Sequence, residues 1–325
     1  MRVRWVRMGL AGVLVAAGML GAAELSAQEK TVGLSLPESK NPFYVAMEKA
    51  IVARLQERGV RVKSVTADGD INRQVNGIND LIAARVNALL VSPADLRGPA
   101  PAIKAANEAG IPVFLVARKL APEFDNLWKA FVGVDLQHAG RIKGEWVVNN
   151  LPGGKVAMLL GPPGAFVTLE QSTGFKQAIE KAGKTAQFPI VFQQASQQTR
   201  EIGLKLAEDI LTAHPDIRVM YAGNDDLALG AVQAVKAAGK LPQVKVLGLN
   251  ASPPAAASVA KGEMAMTVAL SPTKWGQSAA DLAADYVLTG KLPATKETIY
   301  GDPELVDQKN AINFVPPALR KDFGL

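Results

Sequence analysis

Nucleophilic and metal chemistry have little to work with in this chain of 325 residues, which contains no cysteine and only two histidines, His138 and His214. Thiol catalysis, Cys-ligated zinc and disulfide frameworks are excluded outright, and a catalytic triad or multi-His metal site would have to draw on two residues far apart in sequence. His214 falls in the loop LTAHPD and His138 in the first turn of a predicted helix, neither with ligand-type residues at coordinating spacing. DGD at 68–70 lacks the further oxygen ligands of a calcium loop and reads as a turn. GPPGAF at 161–166 is not GxxxxGK[ST] or GxGxxG, so no nucleotide or other cofactor is expected. What remains is hydrogen-bonding and stacking chemistry. Short apolar runs are repeatedly followed by amides and aromatics: Asn41, Phe43 and Tyr44; Phe166; Gln193, Gln194, Gln197 and Gln198; Asn224; Asn250. Amides donate and accept, and aromatic faces cover the C–H side of a sugar ring or an aliphatic ligand, so the set suits a neutral, polyhydroxylated molecule. The competing role for any one of these amides is to cap the helix that follows it.

Those residues need a scaffold that brings strand ends together, and the hydrophobic pattern supplies one. TVGLSL precedes a predicted helix over 42–58, VRVKSVT a helix over 71–84, VNALLVS a helix over 98–109, and IPVFLVA is followed by AFVGV. A second series follows: helix 136–150, strand 155–160, helix 167–182, strand 187–192, helix 199–213, strand 217–222, helix 225–238 and strand 244–249. Short β-rich runs alternating with helical periods imply βαβ units and parallel sheets. Gly59 and Gly110 stand just past predicted helix ends, and Asn41-Pro42 places a capping residue before a proline at the first helical position. The same grammar used twice predicts an α/β protein of two halves with a cleft between them. Ligands of such sheets bind beyond the carboxyl ends of the strands, where the amides lie. Trp275, on a predicted helix, reads as core.

Composition agrees with an ordinary globular chain, 48% hydrophobic and 20% charged. Residues 1–27 carry three arginines, an apolar run over 8–23 and small residues at the end, the pattern of a secretory signal peptide cleaved after Ala23 or Ala27. The run is short for a membrane span of about 20 residues. Removing residues 1–27 lowers the net charge from +6 to +4, dispersed along the chain, with no basic stretch interleaved with aromatics to suggest nucleic acid. The mature protein is expected to be exported, periplasmic and monomeric.

TVGLSLPESKNPFYVAMEKA, INDLIAARVNALLVSPAD, IKAANEAGIPVFLVAR, LTAHPDIRVMYAGNDDLALGAVQAVKAAGK and VLGLNASPPAAASVAKGEMAMTV together resemble the periplasmic ribose-binding family, the type I solute-binding proteins of ABC sugar importers. The resemblance runs from Thr31 to about Leu292. It implies two Rossmann-like lobes with parallel-sheet cores, joined by a three-crossing hinge near 133–135, 268–272 and 295–302. The first lobe would comprise 28–134 plus 271–298 and the second 135–270 plus 299–325. It also places Asn41 as a hydrogen-bonder, Phe43 and Tyr44 as stacking aromatics, Arg118 after the fourth strand and Asn224 as a ligand contact.

Several family positions differ. Ala117 replaces the Asp before the Arg, Gln171 an Arg, Asn250 an Asp, Leu270 a hinge-side Gln and Gln198 an aromatic. Losing both carboxylates weakens recognition of a cyclic aldose, because charged acceptors bind hydroxyls more strongly than amides do. A sugar, a polyol, a modified sugar, a sugar acid pairing with Arg118 or a small non-sugar metabolite all fit. A buried Arg118 requires an anionic partner, from the ligand or from Asp95, Asp135 or Asp225; helix-start capping competes for Asp225. The resulting expectation is a binding protein rather than an enzyme, its ligand site drawn from Asn41, Phe43, Tyr44, Asp95, Arg118, Phe166, Gln171, Gln198, Asn224 and Asn250. Its partner would be an ABC permease, or a sensor histidine kinase in the same membrane.

Overall fold

A computed structural model describes residues 29–300 and 303–325, the side chains of Ile299 and Tyr300 excepted. The expected leader over 1–27 lies outside the described residues, as do positions 301 and 302 of the third crossing.

The first unit alternates β1 (Thr31–Leu36), α1 (Pro42–Glu57), β2 (Arg61–Thr66), α2 (Ile71–Ala83), β3 (Ala88–Val91), α3 (Ala100–Glu108), β4 (Val113–Val116) and β5 (Ala130–Val134). The second follows with α4 (Leu136–Asn150), β6 (Lys155–Leu160), α5 (Phe166–Lys181), β7 (Ile190–Ala195), α6 (Arg200–Ala213), β8 (Ile217–Ala222), α7 (Asp225–Ala237), β9 (Lys245–Leu247), α8 (Pro253–Ala260) and β10 (Thr267–Ala269). The chain closes with α9 (Pro272–Thr289), β11 (Glu297–Tyr300), β12 (Glu304–Val306) and α10 (Pro317–Arg320). Predicted boundaries agree to within a residue or two except at β7, expected over 187–192 and observed over Ile190–Ala195. Phe188 N–H donates to the Lys184 carbonyl and Pro189 has no N–H to give, so although the Pro189 carbonyl accepts from Val156 N at 2.9 Å, the paired run of β7 begins at Ile190.

Strand order in the first sheet is β2-β1-β3-β4-β5 with β11 added beyond β5, every pair parallel. The second sheet runs β7-β6-β8-β9, again all parallel. In each, the order reverses beside the first strand of its unit, the switch point where doubly wound sheets open a crevice. After β5 the chain passes to the second sheet, after β10 it returns as α9 beside α1, and β12 pairs antiparallel with β10.

Burial on both faces makes the strands continuous apolar runs: β1, β3, β4 and β5 are buried throughout. One face of the first sheet packs Leu34, Phe114 and Val132 against Met47 and Ile51 of α1 and Ala280 of α9; the other packs Leu89 and Leu115 against Ile78 and Ile103. Two clusters sandwich the second sheet in the same way, with Ile210 and Val235 on one side and Phe175 and Tyr221 on the other.

Helix starts are chemically marked. Asn41, Asp70, Asp135, Thr199 and Asn224 each accept a backbone N–H of the first turn through the side chain, satisfying donors that would otherwise be orphaned. The α4/α5 pair is held unusually close by two glycines. A Cβ on Gly140 would lie 2.0 Å from the Gln171 carbonyl oxygen, and one on Gly174 would lie 2.0 Å from that of Gln137.

Candidate functional site

Between the two sheets, the loops after β1, β4, β8 and β9 converge on a cavity. Its lining includes Asn41, Phe43 and Tyr44 from α1 and its cap; Ala117 and Arg118; Gln198; Gly223 and Asn224; Asn250; Leu270; and Trp275 from α9. Both units therefore contribute, and the free space is about 30 Å³. The units touch across the cleft: Leu96 N–H donates to the Gly164 carbonyl at 3.2 Å, and Phe166 and Val167 pack on the first unit's core.

Local turns aim the site residues. Arg118 N–H donates back to the Val116 carbonyl at 2.7 Å around Ala117, whose φ is +63°. This is a tight γ-turn in the left-handed region, a conformation that costs about 1–3 kcal/mol and concentrates at functional sites. Asn250, at φ +117°, and Ala251, at φ +51°, bend the chain similarly after β9.

Asn41 and Asn224 combine both roles considered for such amides. Their Oδ1 atoms accept from Phe43 N and Leu227 N as helix caps, both residues line the cavity, and the Asn224 Nδ2 donates to the Gln198 carbonyl at 3.4 Å. The Asn41 Nδ2 donates to Glu38 Oε2 at 2.8 Å.

Arg118 is paired with Glu38, not with Asp95, Asp135 or Asp225. Its Nη2 lies 2.9 Å from Glu38 Oε1, the two side chains being 4% and 16% exposed. Asp95 instead accepts from Arg97 N and Gly98 N and faces Gly164 across the cleft; Asp135 caps α4 and pairs with Arg141. The guanidinium carbon stands 5.1 Å from the centre of the Tyr44 ring, which contacts Phe43 edge-on at 5.2 Å, and Phe43 in turn meets Trp275 at 5.4 Å. Arg118 Nε has no partner among the described residues. Behind it, Gln74 donates to Ser35 and the Ser92 carbonyl and accepts from Ala94 N, fixing the loop after β3.

Of the ten expected site residues, Asn41, Phe43, Tyr44, Arg118, Gln198, Asn224 and Asn250 line the cavity. Phe166 and Asp95 lie at the contact between the units, and Gln171 sits behind the wall. Buried Gln171 donates to the Gly223 carbonyl at 2.9 Å and accepts from Lys143 Nζ at 3.1 Å; Lys143 also donates to the Ala222 carbonyl at 2.9 Å. Burial pushes the Lys143 pKa down to about 7 despite nearby Asp225, whose own pKa burial raises to about 6. Asp225 accepts from Ser252 N and Thr267 Oγ1, which is a tertiary role rather than helix capping. Trp275 is only 2% exposed, a core residue that also reaches the cavity.

Glu38, Gln74 and Lys143 escaped the sequence reading. Glu38 stands three residues before Asn41, and Lys143 interrupts the apolar stripe Leu136, Ala139, Gly140, Val147 of α4, which were the available signals. Among the described residues no group of three or more His, Asp or Glu could hold a metal ion, and no helix is long and apolar enough to cross a membrane.

Two parallel-sheet units facing each other over a cavity of mixed polar and apolar lining define a two-lobed binding protein. The chain belongs to the periplasmic binding protein domain family, whose profile matches residues 32–292. It is 33% identical over 283 residues to the ribose import binding protein RbsB of Bacillus subtilis, covering 87% of this chain and 88% of that one. Its fold is similar to an ABC transporter solute binding protein from Mycobacterium smegmatis with bound glycerol, at TM-score 0.81 and 31% identity, covering 88% of this chain and 97% of the other. The Caulobacter myo-inositol binding protein, bound to myo-inositol, gives TM-score 0.81 at 29% identity, with 88% and 94% covered.

Proposed function

We propose that this protein is an exported, periplasmic solute-binding protein that captures a small carbohydrate-like molecule, a sugar, polyol or modified sugar, and delivers it to an ABC importer. The observation that carries this reading is the composition of one cavity built from both lobes: amides, an edge-to-face run of aromatics, aliphatic side chains and a single arginine. Relatives named for ribose import, and neighbours holding glycerol or myo-inositol, support the ligand class.

In this reading Asn41, Arg118, Gln198, Asn224 and Asn250 meet hydroxyl groups, and Phe43, Tyr44 and Trp275 cover the carbon skeleton. Gln171 steadies the Gly223–Asn224 segment, while Asp95 and Phe166 register closure of one lobe on the other. The first lobe is 28–134 plus 271–298, the second is 135–270 plus 299–325, and the three crossings form the hinge. Ligand binds the closed state better than the open one because only closure brings both sets of contacts together.

A thermal-shift screen with glycerol, myo-inositol, D-ribose, D-allose and L-arabinose, followed by calorimetry, tests this directly. A ligand of the folded state raises the melting temperature. The expected result is a saturable shift with at least one of them, weakened in each of N41A, R118A and N224A. A flat response to all carbohydrates with a shift from a non-sugar metabolite, or unchanged affinity in all three variants, would overturn it.

A further inference from the structure

We infer that Glu38 is a specificity-determining residue that reserves the cleft for uncharged polyhydroxyl ligands by occupying the charge of Arg118. This deepens the solute-binding reading above and rests on it for the identity of the neutral ligand.

Arg118 is the only charged side chain among the described residues lining the inner cavity, so an anionic ligand would have no other cation to meet there. That cation is already committed, at 2.9 Å, to a carboxylate that is itself mostly shielded from water. Glu38 is held at both oxygens, because Asn41 Nδ2 donates to Oε2 while Arg118 donates to Oε1. Swinging it aside would break two charge-assisted hydrogen bonds and strand a buried guanidinium.

Its position adds a second reason. A larger outer space of about 760 Å³, lined by Glu38, Lys40, Asp68, Arg73, Arg200 and Asp226 among others, adjoins the inner cavity, and Asn41 and Gln198 line both. Both arginines there are themselves paired, Arg73 with Asp68 and Arg200 with Asp226. Glu38 therefore stands where the outer space meets the inner one, and an entering carboxylate would face a fixed negative charge beside the group it would otherwise seek. A hydroxyl has no such conflict. It can donate to a remaining lone pair of Glu38 or accept from Arg118 Nε, the buried donor left without a partner.

The position that the family resemblance reserves for a carboxylate, beside the arginine, is Ala117 here. Glu38 restores a carboxylate to Arg118 from the loop after β1, a different element, and it is oriented by the helix cap rather than by its sequence neighbour.

The test uses the purified protein, its Glu38→Gln variant and the Glu38→Gln/Arg118→Gln double variant, each checked for native circular dichroism. Probes are the pairs D-ribose with D-ribonate, glycerol with glycerate and D-galactose with D-galacturonate, plus glycolate as a minimal anion. The wild type should bind a neutral member at least tenfold more tightly than its acid and show no thermal shift with glycolate. In E38Q the neutral ligand should weaken about tenfold or more, and glycolate should raise the melting temperature; the double variant should lose that gain. Should E38Q fail to fold, Glu38→Ala takes its place with the same readout. Equal binding of acid and neutral forms by the wild type, or a folded E38Q that gains no anion binding, would overturn the inference. A wild type that ignores every neutral probe while E38Q gains glycolate would uphold the role of Glu38 and count against the sugar and polyol reading alone.

Discussion

Replacing Lys143 by Met should change not so much the stability of the protein as its dependence on pH. The ammonium is fully buried, and burial lowers its pKa to about 7, whereas in an unfolded chain it titrates near 10.5. Between these values the unfolded chain binds more protons than the folded one, so this group makes stability rise with pH. A difference of one bound proton between the two states is worth about 1.4 kcal/mol for each pH unit over which it persists. From pH 7 to pH 9 the folded group completes its titration while the unfolded one remains mostly protonated, giving a gain of about 2 kcal/mol. At pH 9 the neutral amine still donates to Gln171 Oε1 and the Ala222 carbonyl, two bonds that Met cannot make, at about 1 kcal/mol each. At pH 9, then, K143M should be about 2 kcal/mol less stable than wild type, and near pH 7 the two should be about equal. Urea denaturation followed by circular dichroism at pH 7, 8 and 9 measures the difference, made in an Asp225→Asn background because Asp225 titrates together with Lys143. Parallel curves, offset by a constant, would show that Lys143 loses its proton in the normal range and would refute the argument.

Asp225 acts with the opposite sign: burial raises its pKa to about 6, so the folded state binds the extra proton and stability falls as pH rises from about 4 to 6. Asp225→Asn should flatten that region in acid-range melts. Asn224→Ala removes the cap of α7 as well as a cavity donor, and should lower stability by about 1 kcal/mol in denaturant titration together with ligand affinity in calorimetry. Gly164, at φ +73°, would meet Asp95 Oδ2 at 2.3 Å if given a Cβ, so Gly164→Ala should disfavour lobe contact. Solution scattering should then show a larger radius of gyration and a smaller ligand-induced contraction than in wild type; identical profiles would exclude that role. Trp275→Ala removes a buried ring from the α1/α9 interface and should cost about 3–5 kcal/mol, read from the melting midpoint.

Period and punctuation carried most of the architecture. Asn41-Pro42 marked the start of α1 because a cap followed by proline is a local, sterically determined signal, and the buried strands announced themselves as unbroken apolar runs. β7 slipped by three residues because it is a half-exposed edge strand, where pairing with β6, rather than local pattern, decides where the strand begins. In the site, residues directly after strands were legible because parallel topology fixes where strand ends lie. The pairing of Arg118 was not: charge balance demanded a carboxylate, but its choice depends on which loop approaches in three dimensions, and three aspartates competed for attention while Glu38 supplied it. Gln171 was drawn to the site by analogy, and the structure places it one layer behind, where close α4/α5 packing lets Lys143 reach it.

The use of Asn41 and Asn224 as helix caps constrains how this cleft can change its preferences over generations. A substitution at either position that cannot cap costs about 1 kcal/mol at the start of a core helix while it changes the cavity wall, so drift there meets a folding penalty before it can offer a new specificity. Gln198, Leu270, Val167 and Leu136 line the same cavity without capping a helix. They form the adjustable part of the wall, through which a descendant of this protein could acquire a different solute while keeping the same scaffold.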